Sequence, residues 1–271
     1  MTILDQLADQ ARERVAAAKK NIGPADLRAA AEKLPSGRFG FEHALKKDDI
    51  AFICECKKAS PSKGLIAPDF PYLQIAKDYE AAGADAISVL TEPKWFLGSD
   101  EYLKEIAAGV KTPCIRKDFT VDEYMIFEAK CLGASAVLLI CAILDKGQIK
   151  EYLSICDSLG LSALVETHDE AEVETALDAG GRIIGVNNRN LKDFSVDTGN
   201  SRRLRSLIPS DKIFVSESGV STAEDVAALR AAGVDAVLVG EALMRAADKT
   251  AKLKELKGDH GDGPRGTGSV L

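Results

Sequence analysis

From Ile50 onward, short apolar runs alternate with amphipathic stretches of about 10–15 residues whose apolar positions recur at helical spacing. The runs are AFICECK (51–57), AISVLTE (86–92), PCIRKDF (113–119), AVLLICA (136–142), SALVETH (162–168), RIIGVNNR (182–189), IFVSESG (213–219) and AVLVGEA (236–242). Gly83, Gly133, Gly160, Gly180 and Gly233 stand just ahead of five of them, where a left-handed glycine ends a helix and turns the chain into a buried strand. Eight strand–helix units joined by right-handed crossovers predict a (β/α)8 TIM barrel. An open doubly wound sheet is disfavoured, since no GxGxxG or GxxxxGK[ST] turn follows the first strand. Upstream, residues 1 to about 20 and Pro24–Leu34 read as alanine-rich amphipathic helices, with a further short helix around Phe41–Lys47. The expected organisation is an N-terminal helical extension (1–47), a barrel (48–257) and a glycine-rich tail (258–271) too poor in apolar residues to order itself.

Composition narrows the class. A chain of 271 residues, 46% hydrophobic and 28% charged, sustains a large core and is not a disordered sequence. A net charge of −7 without a basic block excludes nucleic acid as the expected partner. No apolar run approaches the roughly 18 residues of a membrane span. The start of the chain carries Asp5, Asp9 and Glu13 instead of the apolar segment of a signal peptide, so a cytoplasmic protein is expected. Cys54, Cys56, Cys114, Cys131, Cys141 and Cys156 form no CxxC pair and read as small buried hydrophobes. His43, His168 and His260 are scattered and no HExxH occurs, so no metal site is expected.

Barrel active sites form at the carboxyl ends of the strands, so ionisable residues there carry the chemistry. Strand alternation groups Ile53, Glu55 and Lys57 on one face; the same parity groups Ile115, Lys117 and Phe119, then Leu164, Glu166 and His168. Gly185, Asn187 and Arg189 follow suit, as do Val215, Glu217 and Gly219. Turned inward, these faces gather two lysines, three glutamates, an asparagine and an arginine at one mouth, where neighbouring charges tune acid–base groups. The last two strands end in Ser216-Glu217-Ser218-Gly219 and Val239-Gly240-Glu241-Ala242, each ahead of a helix; free amides there suit a phosphate, provided the Glu241 side chain turns away. The loop Lys58–Phe70, with Ser60-Pro61-Ser62 stiff and Lys63-Gly64 a cationic tip, reads as a substrate lid.

FICECKKASPSKG (52–64), with its E-x-K-x-x-S-P-S core, closely resembles the signature of the indole-3-glycerol phosphate synthase family. LTEPKWFLGS (90–99), RKDF (116–119), LVETH (164–168), GVNNRNL (185–191), SESG (216–219) and VGEALMR (239–245) follow in the family's order. The resemblance implies a barrel whose N-terminal helices lie over the mouth and which closes an indole ring on 1-(2-carboxyphenylamino)-1-deoxyribulose 5-phosphate, losing CO₂ and water without a cofactor. It implies Lys117 as general acid on the ribulose carbonyl, Lys57 beside the departing carboxylate and Glu166 as general base or dehydration partner; the division of acid steps between the lysines stays open. Glu55 and Glu217 would orient the lysines and sugar hydroxyls, and Asn187 and Arg189 the anthranilate-derived part. Phosphate would fall to Lys57, Ser60, Ser218, Gly219, Gly240 and the amide of Glu241. Phe119, Leu138, Leu164 and Leu238, with Phe96, would wall the aromatic ring. A monomer acting on a small phosphorylated substrate is expected, with association with other tryptophan-pathway enzymes left open. Two alternatives are another phosphosugar barrel (a Schiff-base aldolase or phosphoribosylanthranilate isomerase) and a non-catalytic phosphometabolite-binding barrel.

Overall fold

The computed structural model describes residues 2–190 and 193–258; the expected tail beyond Gly258 lies outside them. Eight parallel strands close a barrel in sequence order: β1 (Ala51–Cys56), β2 (Ala86–Leu90), β3 (Cys114–Lys117), β4 (Ala136–Ile140), β5 (Ser162–Thr167), β6 (Ile183–Asn187), β7 (Ile213–Glu217) and β8 (Ala236–Val239). Closure falls on β1, where Ile53 stands opposite Ala86 on one side and Leu238 on the other. Every strand ends one to three residues earlier than its apolar run. Just beyond those points polar side chains take tertiary partners: Asn188 donates to Ser216 Oγ and the Ser218 carbonyl, and Asp118 accepts from Thr91 and Arg14.

Side chains alternate between two cores, as the period of two requires. Ala51, Ile53, Ala86, Ile115, Ala136, Leu138, Leu164, Ile183, Ile213, Val215, Ala236 and Leu238 fill the barrel interior. Phe52, Cys54, Cys56, Ile87, Val89, Val137, Leu139, Val165, Phe214 and Val237 face the surrounding helices. Four cysteines are buried as expected, but Cys141 is half-buried and Cys131, the last residue of its helix, is exposed.

Three helices precede the barrel: α1 (Ile3–Asn21), α2 (Pro24–Glu32) and α3 (Gly40–Leu45). Thr2 and Asp5 cap α1 reciprocally. Only α1 reaches the mouth, so the expectation that the extension covers that end holds for one helix in three. Leu27 and Ala31 bury one face of α2 in the outer core, and α3 closes the opposite end with Phe41 and Leu45, both essentially unexposed. The outer helices are α4 (Tyr72–Ala81), α5 (Asp100–Gly109), α6 (Tyr124–Cys131), α7 (Lys146–Leu159), α8 (Glu170–Asp178), α9 (Gly199–Leu204), α10 (Ala223–Ala231), α11 (Glu241–Arg245) and α12 (Lys249–Lys257). The five glycines ahead of strands all have positive φ; at Gly160 (φ 66°) a side chain would also strike Ser36 and Gly37. Among the described residues no helix is long and apolar enough to cross a membrane.

Candidate active site

The inward parity that fills the barrel with apolar side chains ends in charge. One residue above Ile53, Ile115, Leu164 and Val215 on their faces come Glu55, Lys117, Glu166 and Glu217, and they line a cavity of about 720 Å³ at the carboxyl ends of the strands. Lys117 Nζ lies 3.0 Å from Glu166 Oε2 and 3.2 Å from Glu217 Oε2. Lys57 Nζ donates to Glu55 Oε1 at 2.5 Å, and Ser88 Oγ to Glu55 Oε2 at 3.4 Å. Asn187 Nδ2 donates to Glu166 Oε1 (3.1 Å), while its Oδ1 accepts from Ser218 Oγ (2.9 Å) and the Arg189 amide (3.0 Å). That one amide therefore ties a carboxylate on β5 to the loop after β7.

Missing side chains make room for this cluster. A Cβ on Gly185 would collide with the Glu217 carboxylate, and one on Gly240 with Glu55 and Lys57. The need for glycine at 240 thus comes from the charged pair, since its φ of −117° suits any residue. Ser218, at φ 67°, holds the left-handed conformation without being glycine, and this backbone strain sits at the mouth.

Environment separates the three charges. Burial alone would lower the Lys117 ammonium, but Glu166, Glu217 and Glu55 hold it above its ordinary value. Burial would raise Glu166, yet Lys117 and His168, with the hydrogen bond from Asn187, hold it below the usual glutamate value. Burial pushes Glu217 up to about 7 against the pull of Lys117, and like charge on Glu166 and Glu55 adds to the rise. Two carboxylates on one ammonium, displaced in opposite directions, can serve as an ionised base and a protonated partner.

Every sequence-predicted site residue lines the cavity except Leu164, which is fully buried one pleat below Glu166 in the apolar interior. Phe96 and Phe119 stand with ring centroids 6.1 Å apart. Glu92, fully buried, holds the Phe96 loop by accepting the amides of Lys94, Trp95 and Phe96. The Glu241 side chain stays at the cavity rim, paired with Arg245 (3.0 Å) and Lys63 (3.6 Å), two cations that line the same cavity. Of the two expected helix N-termini, that of α10 is occupied by the Thr222–Asp225 capping box, whereas α11 has no side-chain cap. The Lys58–Phe70 loop carries a short antiparallel ribbon, Ala59–Ser60 against Gly64–Leu65. Nor does the mouth hold a surplus of positive charge: Lys57, Lys63, Lys117, Arg189 and Arg245 are matched by Glu55, Asp118, Glu166, Glu217 and Glu241.

Sequence reasoning missed Ile3, Leu4 and Leu7 of α1, Leu90, Ile140, Phe194, Val196 and Arg245. Parity with Ala86 and Leu138 was enough to find Leu90 and Ile140. The apolar stripe of α1 was visible and the resemblance set the N-terminal helices over the mouth, but neither said which α1 side chains face the cavity.

The family model described as indole-3-glycerol phosphate synthase matches residues 4–256. An indole-3-glycerol phosphate synthase from Ruminiclostridium cellulolyticum is 58% identical over 94% of this chain and 99% of its own. One from Endomicrobium trichonymphae is 53% identical over the same shares, 94% and 99%. Among solved structures, thiamine phosphate pyrophosphorylase from Pyrococcus furiosus aligns with a TM-score of 0.58 at 17% identity, covering 77% of this chain and 94% of that one. A chain from the tryptophan synthase complex of the same organism aligns at 0.57 and 16% identity, over 78% and 98%. Those two likenesses bear on the barrel alone. The site motifs stand in order around the mouth, and the family match runs from α1 to α12, so the chain belongs to the indole-3-glycerol phosphate synthase family.

Proposed function

We propose that the barrel converts 1-(2-carboxyphenylamino)-1-deoxyribulose 5-phosphate to indole-3-glycerol phosphate, CO₂ and water, by acid–base catalysis from its own side chains. The observation that carries this reading is the Lys117 ammonium between Glu166 and Glu217 on the cavity wall. In the first step the ring carbon bearing the carboxylate attacks the ribulose carbonyl, and Lys117 donates a proton to the carbonyl oxygen as it becomes a hydroxyl. The ring–carboxylate bond then breaks, its electron pair restoring the aromatic ring as CO₂ leaves; Lys57, tied to Glu55, faces that carboxylate. Finally the hydroxyl departs as water with a second proton, from the Lys57 ammonium, while Glu166 takes a proton from the adjacent methylene and the indole double bond forms.

Glu55 and Glu217 orient the lysines and sugar hydroxyls, Asn187 and Arg189 the anthranilate-derived part. Phe96, Phe119, Leu138 and Leu238 wall the ring. Phosphate is assigned to the uncapped start of α11 at Gly240–Glu241 and to Ser218–Gly219, with Ser60 and Lys57 closing from the β1 loop, which acts as a lid. Residues 1–47 form the helical extension and 48–257 the catalytic barrel. The reaction is placed in the cytoplasm, with the monomer as the active unit.

A Schiff-base aldolase needs a neutral amine, and the carboxylates around Lys117 favour the ammonium instead. Pure protein given the substrate in chelator is expected to generate indole absorbance and fluorescence, with nothing trapped by borohydride. Folded protein that leaves the substrate unchanged overturns the reading.

A further inference from the structure

His168 follows β5 directly, two residues past Glu166 on the same face, and it is outside the machinery just described. Its Nδ1 lies 3.0 Å from Glu172 Oε2 in the first turn of α8. That oxygen also accepts the His168 backbone amide at 2.8 Å, and the Glu172 amide is capped by Asp169 (2.9 Å). Asn200 of α9 donates to the His168 carbonyl (3.1 Å). The ring is held at Nδ1 by Glu172, and the backbone that carries it by Glu172 and Asn200. Its other nitrogen, Nε2, is buried, has no hydrogen-bond partner and lies 3.4 Å from Glu166 Oε1.

An ionised carboxylate only accepts, so Nδ1 carries a proton toward Glu172. A neutral ring then leaves the Nε2 lone pair 3.4 Å from a carboxylate oxygen, which is repulsive. A charged ring instead sets a positive N–H at that distance, an attractive ion pair without a hydrogen bond. We propose that His168, clamped by Glu172, is a positioning residue for Glu166: its imidazolium holds Oε1 opposite the Lys117 ammonium on Oε2 and keeps the carboxylate ionised and aimed at the substrate. This rests on the base role given to Glu166 above.

The groups facing the ring agree in sign. Glu166 of β5, Glu172 of α8 and Glu217 of β7 are acidic, and the nearby Cys141 thiol, pushed up to about 12 by burial, is neutral. Burial alone would lower the imidazole, but the Glu172 hydrogen bond and the charges of Glu166 and Glu172 raise it above its ordinary value. The imidazolium is therefore present below that raised value and lost as pH rises through it, which removes a counter-charge from Glu166.

With three histidines in the chain, the His168 ring resonance can be assigned in a proton NMR titration by its loss in His168→Gln. Its midpoint is expected above that of a free histidine, about 6.5, and both Glu166→Gln and Glu172→Gln should lower it. In turnover, His168→Ala should lower kcat about tenfold at little change in KM, since a displaced base costs rate more than binding. The alkaline limb of kcat that shares the NMR midpoint should vanish in His168→Gln and in His168→Ala. A midpoint indifferent to Glu166→Gln overturns the proposal, as does a parental kcat and pH profile in both His168 variants. If the parent chain turns over no substrate, the functional reading fails, while the titrations still judge the His168–Glu166 coupling.

Discussion

Glu217 is the side chain on which the site's electrostatics act most sharply. Its Oε1 is buried without a hydrogen-bond partner in the space left by Gly185, and it shares the Lys117 ammonium with a second carboxylate. Its native value is raised from 4.5 to about 7, so between those values the folded protein keeps a proton that the unfolded chain releases. Stability then falls as pH rises through that window. Urea unfolding at a series of pH values is expected to show this negative slope, and Glu217→Gln should flatten it. An unchanged slope in the variant would show that Glu217 ionises normally. The position of Glu217 was legible from β7 parity alone. Its raised value was not, because it depends on burial and on Glu166, which stands 51 positions earlier on another strand.

At the scale of elements, the hinge of the site is the contact between α1 and the end of β3. Arg14 binds Asp118 with both arms, at 2.6 and 3.0 Å, and Asp118 also accepts from Thr91 Oγ1 at 2.6 Å. Asp118 directly follows Lys117, so this contact fixes at once the helix that brings Ile3, Leu4 and Leu7 to the mouth and the strand end that presents the lysine. Arg14→Met leaves the buried carboxylate short of its main partner and is expected to cost about 3 kcal/mol, read as a lower urea midpoint, with a raised KM for the substrate. Burial works to raise Asp118, but Arg14 and Arg116 hold it below its ordinary value. The contact therefore stabilises above the unfolded aspartate value and is lost as pH falls through the native one. Strands and helices were legible in the sequence because periods of two and 3.6 are local. The docking of α1 was not, since Arg14 and Asp118 are 104 positions apart and no local pattern pairs them.

For the molecule as a whole, both ends of the barrel depend on the N-terminal helices: α1 at the mouth and α3 as the plug beneath the inner core. Phe41→Ala empties that plug and should cost about 3–5 kcal/mol of global stability, with substrate KM little changed because the cavity lies at the other end. The acidic total of −7 is not offset by a cationic mouth, as its lining charges balance; the site attracts its anionic substrate through particular groups, not a long-range field. Central to the account is that one buried ammonium, Lys117, drives ring closure. A single-turnover comparison of the chain with Lys117→Met, both confirmed folded by circular dichroism and both saturated with substrate, tests this most directly. The parent is expected to release CO₂ and develop the indole chromophore, and the variant to bind substrate yet react at least about 10²-fold more slowly. Near-parental indole formation by Lys117→Met would contradict the account.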